Sequence, residues 1–153
     1  MRELIFEAVS EAETLNDVYK GLIAVLNQIN RSRNLRIGYV AGIITSEGQE
    51  RAESNFQRLA KYTEFLRFRH DIPMVSASEI FRSDILDRGK QGHPGYEQAD
   101  FLRFWRSILA CGHITDVFFT PRWEESFGAR DEYDIAKSLN LRIHFVEETN
   151  LDS

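Results

Sequence analysis

Residues 115–120, TDVFFT, run on through PRWEESFGARDEYDIAKSLN (121–140) into LRIHFV (141–146), and this stretch decides the fold. Thr115-Asp116-Val117-Phe118-Phe119-Thr120 is the most strand-like run in the chain, since β-branched and aromatic side chains suit a pleated, half-buried surface. A turn from Pro121 to Phe127 follows, then Gly128 to Leu139 predicts a helix and Leu141 to Val146 a closing strand. Strand, helix, strand in succession is the sequence form of a parallel unit.

The same alternation extends toward the amino terminus. LRIGYVAG (35–42) reads as a short strand leaving through Gly42, and a polar loop Thr45-Ser46-Glu47-Gly48 follows. Ala52, Phe56, Leu59, Ala60, Thr63 and Leu66 then recur at helical spacing up to His70-Asp71-Ile72-Pro73. Met74-Val75 predicts a short second strand, and Ala99, Leu102, Trp105, Ile108 and Leu109 another helix. The expectation is an α/β fold, a doubly wound, mainly parallel sheet of about four to five strands with helices on both faces, flavodoxin-like or Rossmann-like. Ligands of such sheets sit beyond the carboxyl ends of the strands, so residues 43–49 and 121–132 are the place to look for function.

Outside that unit, Ser10 with Glu13 reads as a capping box opening a helix with Leu15, Val18, Leu22, Val25, Leu26 and Ile29 on one face. The expected organisation is a helical extension over 1–34, the α/β unit over 35–148 and a tail over 149–153. Residues 77–96, which hold Gly89, Gly92, Pro94 and Gly95, read as an irregular connector of the sort used as a lid or binding loop.

Composition narrows the class. The chain has 153 residues, a net charge of −5 and a single cysteine, Cys111, so an intramolecular disulfide is ruled out and a reducing, cytosolic setting is expected. The acidic balance argues against binding polymeric nucleic acid by general electrostatics. Glu3, Glu7, Glu11 and Glu13 read against a signal or transit peptide, and the apolar stretches are too short for a membrane helix. Scattered histidines give no metal-ligand spacing, so no metal is expected. Arg67, Arg69, Arg103 and Arg106 read as solvated arginines on amphipathic helices, and Asp116, at the entry to its strand, as structural.

Physically, the loop after Thr120 offers the Ser126 hydroxyl and the amides of a helix start, a site suited to one phosphate. Glu132, expected within the first turn or so of that helix, would be kept ionised by the helix dipole. As a plain helix residue, Glu132 would be worth only a few tenths of a kcal/mol.

Ser126-Phe127-Gly128-Ala129, followed by Glu132 and Ala136 and preceded by Asp116 in an apolar strand, resembles the nucleoside 2-deoxyribosyltransferase superfamily. That superfamily includes deoxynucleoside 5′-monophosphate N-glycosidases and hydroxymethyl-CMP hydrolases. The resemblance is carried by the carboxy-terminal motif and extends more weakly from Tyr39-Val40-Ala41-Gly42 to Phe145. It implies attack by Glu132 on C1′ of a nucleoside or nucleoside 5′-monophosphate, with a covalent ribosyl ester resolved by water or another base. Ser126 and the Gly128 amide would hold the 5′-phosphate, Gly42 would admit the sugar, and Trp123 would cover the base or join an interface. No cofactor is implied, and a homodimer is.

Two positions depart from the pattern. Ile43 stands where the N-glycosidases carry a hydroxyl, leaving Thr45 or Ser46 as substitutes, and Ile108 stands where a base-side aspartate is usual, leaving Asp100 as the substitute acid. Those departures favour a rival reading, a nucleotide-binding or sensing protein without chemistry. Cleavage of the nicotinamide bond of NAD is a third, favoured by a larger pocket toward 77–96.

Overall fold

The structure, a computed structural model, describes residues 2–31, 36–44, 49–81, 85, 87–88, 91–149 and 151. Two helices come first, α1 (Arg2–Val9) and α2 (Leu15–Arg31), followed by β1 (Gly38–Ala41), α3 (Gln49–His70), β2 (Met74–Ser76) and the single helical turn α4 (Ala77–Ile80). Then come α5 (Gln98–Leu109), β3 (Asp116–Phe119), a 3-10 turn at Trp123–Glu125, α6 (Phe127–Ser138) and β4 (Arg142–Phe145).

The four strands form one parallel sheet in the order β2-β1-β3-β4. Gly38 pairs with both Met74 and Asp116, and Asp116 pairs with Arg142, so the strands start level with one another. Parallel strands need crossovers, and these helices supply them on both faces. The Tyr39 ring packs 4.7 Å from Trp105 of α5, whereas the Phe118 ring packs 4.9 Å from His70 of α3. Residues of odd and even number on β1 and β3 therefore meet opposite layers, which is why β1, β2 and β3 are mostly apolar and buried at every position, whereas the edge strand β4 is exposed at Arg142 and Phe145.

The amino-terminal helices belong to the same core. Val18, Leu22, Leu26 and Ile29 of α2 are buried with the sheet residues, and α2 packs on α1 and α5. A Cβ at Gly21 would stand 2.5 Å from the Ala8 carbonyl oxygen, so glycine is what allows α1 and α2 to cross at backbone distance. The cap of α2 differs from the expected Ser10–Glu13 box. Thr14 Oγ1 accepts from Asp17 N at 3.1 Å and Asp17 Oδ2 from Thr14 N at 3.2 Å, while Ser10 bonds back to the Glu7 carbonyl and closes α1.

Within the expected lid, four of the described residues, Ile80, Ile85, Arg88 and Tyr96, are tied down, while residues 91–95 are exposed. Ile80 and Ile85 are buried, and Arg88 and the Tyr96 hydroxyl both donate to the Glu13 carbonyl in the α1–α2 turn. Arg67, expected in solvent, is instead drawn inward. It pairs with Glu79 at 2.6 Å and bonds the Met74 carbonyl at 2.7 Å, stitching α3 to β2 and α4. No helix among the described residues is long and apolar enough to cross a membrane.

Candidate functional site

Beyond the carboxyl ends of β1 and β3 the chain is held by a succession of short bonds. Thr120 donates through its amide (3.0 Å) and its hydroxyl (2.9 Å) to the Ala41 carbonyl, and Trp123 N donates to the Thr120 carbonyl. Ser126 N returns to the Trp123 carbonyl, and the Ser126 hydroxyl caps α6 by accepting from Ala129 N at 3.1 Å. Gly42, Thr120, Trp123 and Ser126 thus lie along one rim beyond the carboxyl ends of β1 and β3.

The glycines on that rim differ in what they do. A Cβ at Gly42 would overlap Thr120 Oγ1 and press on Leu59, so the fold itself requires glycine there. At Gly128 an added Cβ would meet nothing nearer than Ser126 Oγ at 4.0 Å. Packing does not demand that glycine, and its side faces open space at the start of α6, where backbone amides favour an anion.

Glu132 is brought to the interior. Ala129, Glu132 and Ala136 form the buried stripe of α6, and Glu132 is only 6% exposed. Its Oε1 accepts from the Tyr39 hydroxyl at 2.9 Å. Tyr39 is buried too, with burial and the neighbouring carboxyl pushing its own ionisation well above the ordinary tyrosine value, so it remains a neutral donor.

The charge state expected for Glu132 is overturned. Burial pushes its pKa up to about 8, against the opposing pull of the Tyr39 bond, and Asp131 adds to the rise. The carboxyl is therefore mostly protonated at neutral pH. Glu132 is the sixth residue of α6, and no acid occupies the first turn. The dipole acts over that first turn and is worth about 0.3–1 kcal/mol, whereas removing a carboxylate from water costs several.

The other predicted residues fall as follows. Ile43 is buried, its side chain inside the molecule, and Thr45 and Ser46 lie outside the described residues. Asp100 is engaged in its own helix: its carboxylate accepts from Glu97 N at 2.9 Å in a capping box and from Arg103 at 2.8 Å. Ile108 is fully buried. Trp123 lies in an aromatic cluster, stacked 5.8 Å from Phe145 and tilted against Tyr133 at 5.0 Å.

Asp116 is structural, as its position at the strand entry suggests. Arg36, Thr115 and His144 all donate to it, and these bonds hold its pKa at about 2 despite complete burial. An open hollow of about 480 Å³ lies on the α3 layer, lined by Ser54, Arg58, Lys61 and Tyr62 with Glu148, Thr149 and Leu151, and not by the connector. Among the described residues, no group of three histidine, cysteine, aspartate or glutamate side chains is placed to hold a metal.

Tyr39 is the residue that sequence reasoning passed over. Its signal was a lone hydroxyl in an otherwise apolar strand, three residues before Gly42. No family model, curated protein or solved structure matches this chain.

Proposed function

We propose that the protein cleaves or transfers at the N-glycosidic bond of a nucleoside or nucleoside 5′-monophosphate, with Glu132 as the group that attacks C1′. The reading rests on the family resemblance of the 126–136 motif, and one geometric observation supports it: a buried carboxyl, oriented by a buried tyrosine, on the helix that starts at the ligand rim. Ser126 and the Gly128 amide would take the phosphate. Ser126 Oγ already accepts from Ala129 N, and its own proton remains available to donate to an oxyanion.

In this mechanism the resting carboxyl must lose its proton before it acts. Positive charge developing on the sugar ring lowers the cost of that loss, because it faces the carboxylate in a site that excludes water. C1′ then bonds to a Glu132 oxygen as the bond to the base breaks. The departing base carries the bonding electrons and takes a proton from solvent, into which the Glu132 proton has passed, and water or a second base resolves the ester. Tyr39 keeps its hydroxyl proton throughout and positions Oε1. The reaction needs no cofactor, and we assign it to a cytosolic homodimer.

A non-catalytic nucleotide-binding role is the second reading, and Asp100 favours it. With that carboxylate bonded to Glu97 N and Arg103, the base side lacks an evident acid. The test is incubation of the purified chain with ribo- and deoxynucleosides, their monophosphates and NAD, with chromatographic detection of free base. Release that is lost in Glu132→Gln supports cleavage, and saturable binding without release supports the second reading.

A further inference from the structure

At the opposite end of the sheet, two basic side chains, Arg36 and His144, bond one buried acid, and three more basic residues, Arg142, Arg69 and His70, stand at neighbouring positions of β4 and α3. Asp116, the first residue of β3, is completely buried and is already supplied with donors. Arg36 reaches it at 2.6 and 3.3 Å, Thr115 Oγ1 at 2.6 Å and His144 Nε2 at 2.8 Å. Arg36 offsets its charge. On β4, Arg142 is the register partner of Asp116, so the two backbones lie about 4.8 Å apart with side chains on the same face, and His144 follows two residues later on that face. The last two residues of α3, Arg69 and His70, arrive from the layer above, with the His70 ring 6.2 Å from that of His144.

The balance is locally positive on a chain whose net charge is −5. Arg142 is exposed, and neither Arg69 nor Arg142 makes an ion pair with a described residue. The acids facing the group are Asp116, neutralised by Arg36, and the exposed Asp71 that follows His70. His70 responds to this surplus. Burial first, then the positive fields of His144, Arg69 and Arg36, press its pKa below the ordinary histidine value, and only Asp116 opposes them. The Asp116 bond fixes the His144 ring and turns its other nitrogen, Nδ1, away from the carboxylate, which becomes a donor when the ring is protonated.

We propose that Arg142, His70 and His144, backed by Arg36 and Arg69, form a binding site for a phosphate-type oxyanion at the amino ends of β1, β3 and β4. This site is independent of the rim carrying Ser126 and Gly128, and it needs no glycosidic chemistry. An oxyanion there supplies the negative charge that His70 lacks, the carboxylate of Asp116 being already engaged by Arg36 and His144. By reciprocity, binding is tighter where His70 is protonated.

The measurement is an NMR titration of the imidazole resonances of the full chain with inorganic phosphate and, separately, ribose 5-phosphate at pH 6 and pH 8. The site predicts saturable shifts of His70 and His144 at pH 6, with affinity at least tenfold weaker at pH 8. Arg142→Ser should weaken binding at least fivefold while leaving the fold intact, because Arg142 is exposed. Ser126→Ala should leave it unchanged, which separates this site from the proposed phosphate cradle. Tighter binding of ribose 5-phosphate identifies a sugar phosphate as the ligand, and tighter binding of inorganic phosphate a free ion. Shifts that stay linear to high concentration at pH 6, or that survive unchanged in Arg142→Ser, overturn the proposal.

Discussion

The Tyr39 hydroxyl and the Glu132 carboxyl, 93 positions apart in the chain, meet at 2.9 Å, and both side chains are buried. The bond stabilises the ionised form of Glu132 against the burial that disfavours it. Tyr39→Phe keeps the ring against Trp105 and removes only the donor. The Glu132 titration midpoint, followed by carboxyl carbon NMR, should move above the native value of about 8. A midpoint that stays put or falls would show that the hydroxyl does not support the carboxylate.

The same carboxyl imposes a pH dependence on stability. Its pKa is about 8 in the folded chain against 4.5 for a free side chain, so between those values the folded state holds the proton that the unfolded state has released. Stability therefore falls as pH rises from about 4.5 to 8, by several kcal/mol at most. Glu132→Gln, neutral at every pH and nearly the same shape, should flatten that slope. Urea denaturation at pH 5.5 and pH 8 compares the two, and equal slopes in both chains would contradict the assignment.

Asp116 acts at the acid end, with the opposite sign. Its folded pKa of about 2 lies below the ordinary 3.8, so on acidification the unfolded chain takes up the proton first and stability is lost through that window. Asp116→Asn removes the charge and replaces one of the two acceptor oxygens facing Arg36 and His144 by a donor, and should cost roughly 2 kcal/mol at pH 7. It should also remove the Asp116 contribution to the fall between pH 4 and pH 2, measurable by thermal melts across that range.

Gly42 is held by packing. Gly42→Ala places a methyl group against Thr120 Oγ1 and Leu59 and should destabilise the fold by about 1–3 kcal/mol. Adding Thr120→Ala should recover part of that loss despite removing the hydroxyl bond to the Ala41 carbonyl. Equal melting temperatures for native and Gly42→Ala chains would show that the rim yields.

The alternation of apolar strands with helical spacing was legible because it is local: TDVFFT, LRIGYVAG and the Trp105 stripe each carry their period within a dozen residues. What sequence missed depends on distant or competing partners. Ser10-x-x-Glu13 and Thr14-x-x-Asp17 both spell a capping box, and the choice falls to the second because Ser10 is used in ending α1. Arg67 reads as solvated until Glu79 and the Met74 carbonyl are folded against it. For the site, the rim from Gly42 to Ser126 followed from topology alone. The Tyr39 partner did not, because no spacing rule links residues 39 and 132. The charge of Glu132 was misjudged because a helix-start rule was applied to a residue in the second turn, where burial outweighs the dipole.

Whether Glu132 breaks a glycosidic bond is read from chromatographic release of free base from nucleosides and nucleoside 5′-monophosphates as pH is raised from 6 to 9. Release should climb with an apparent pKa near that of Glu132 in the bound complex and drop at least a hundredfold in Glu132→Gln. Release at the native rate in Glu132→Gln would exclude Glu132 as the attacking group.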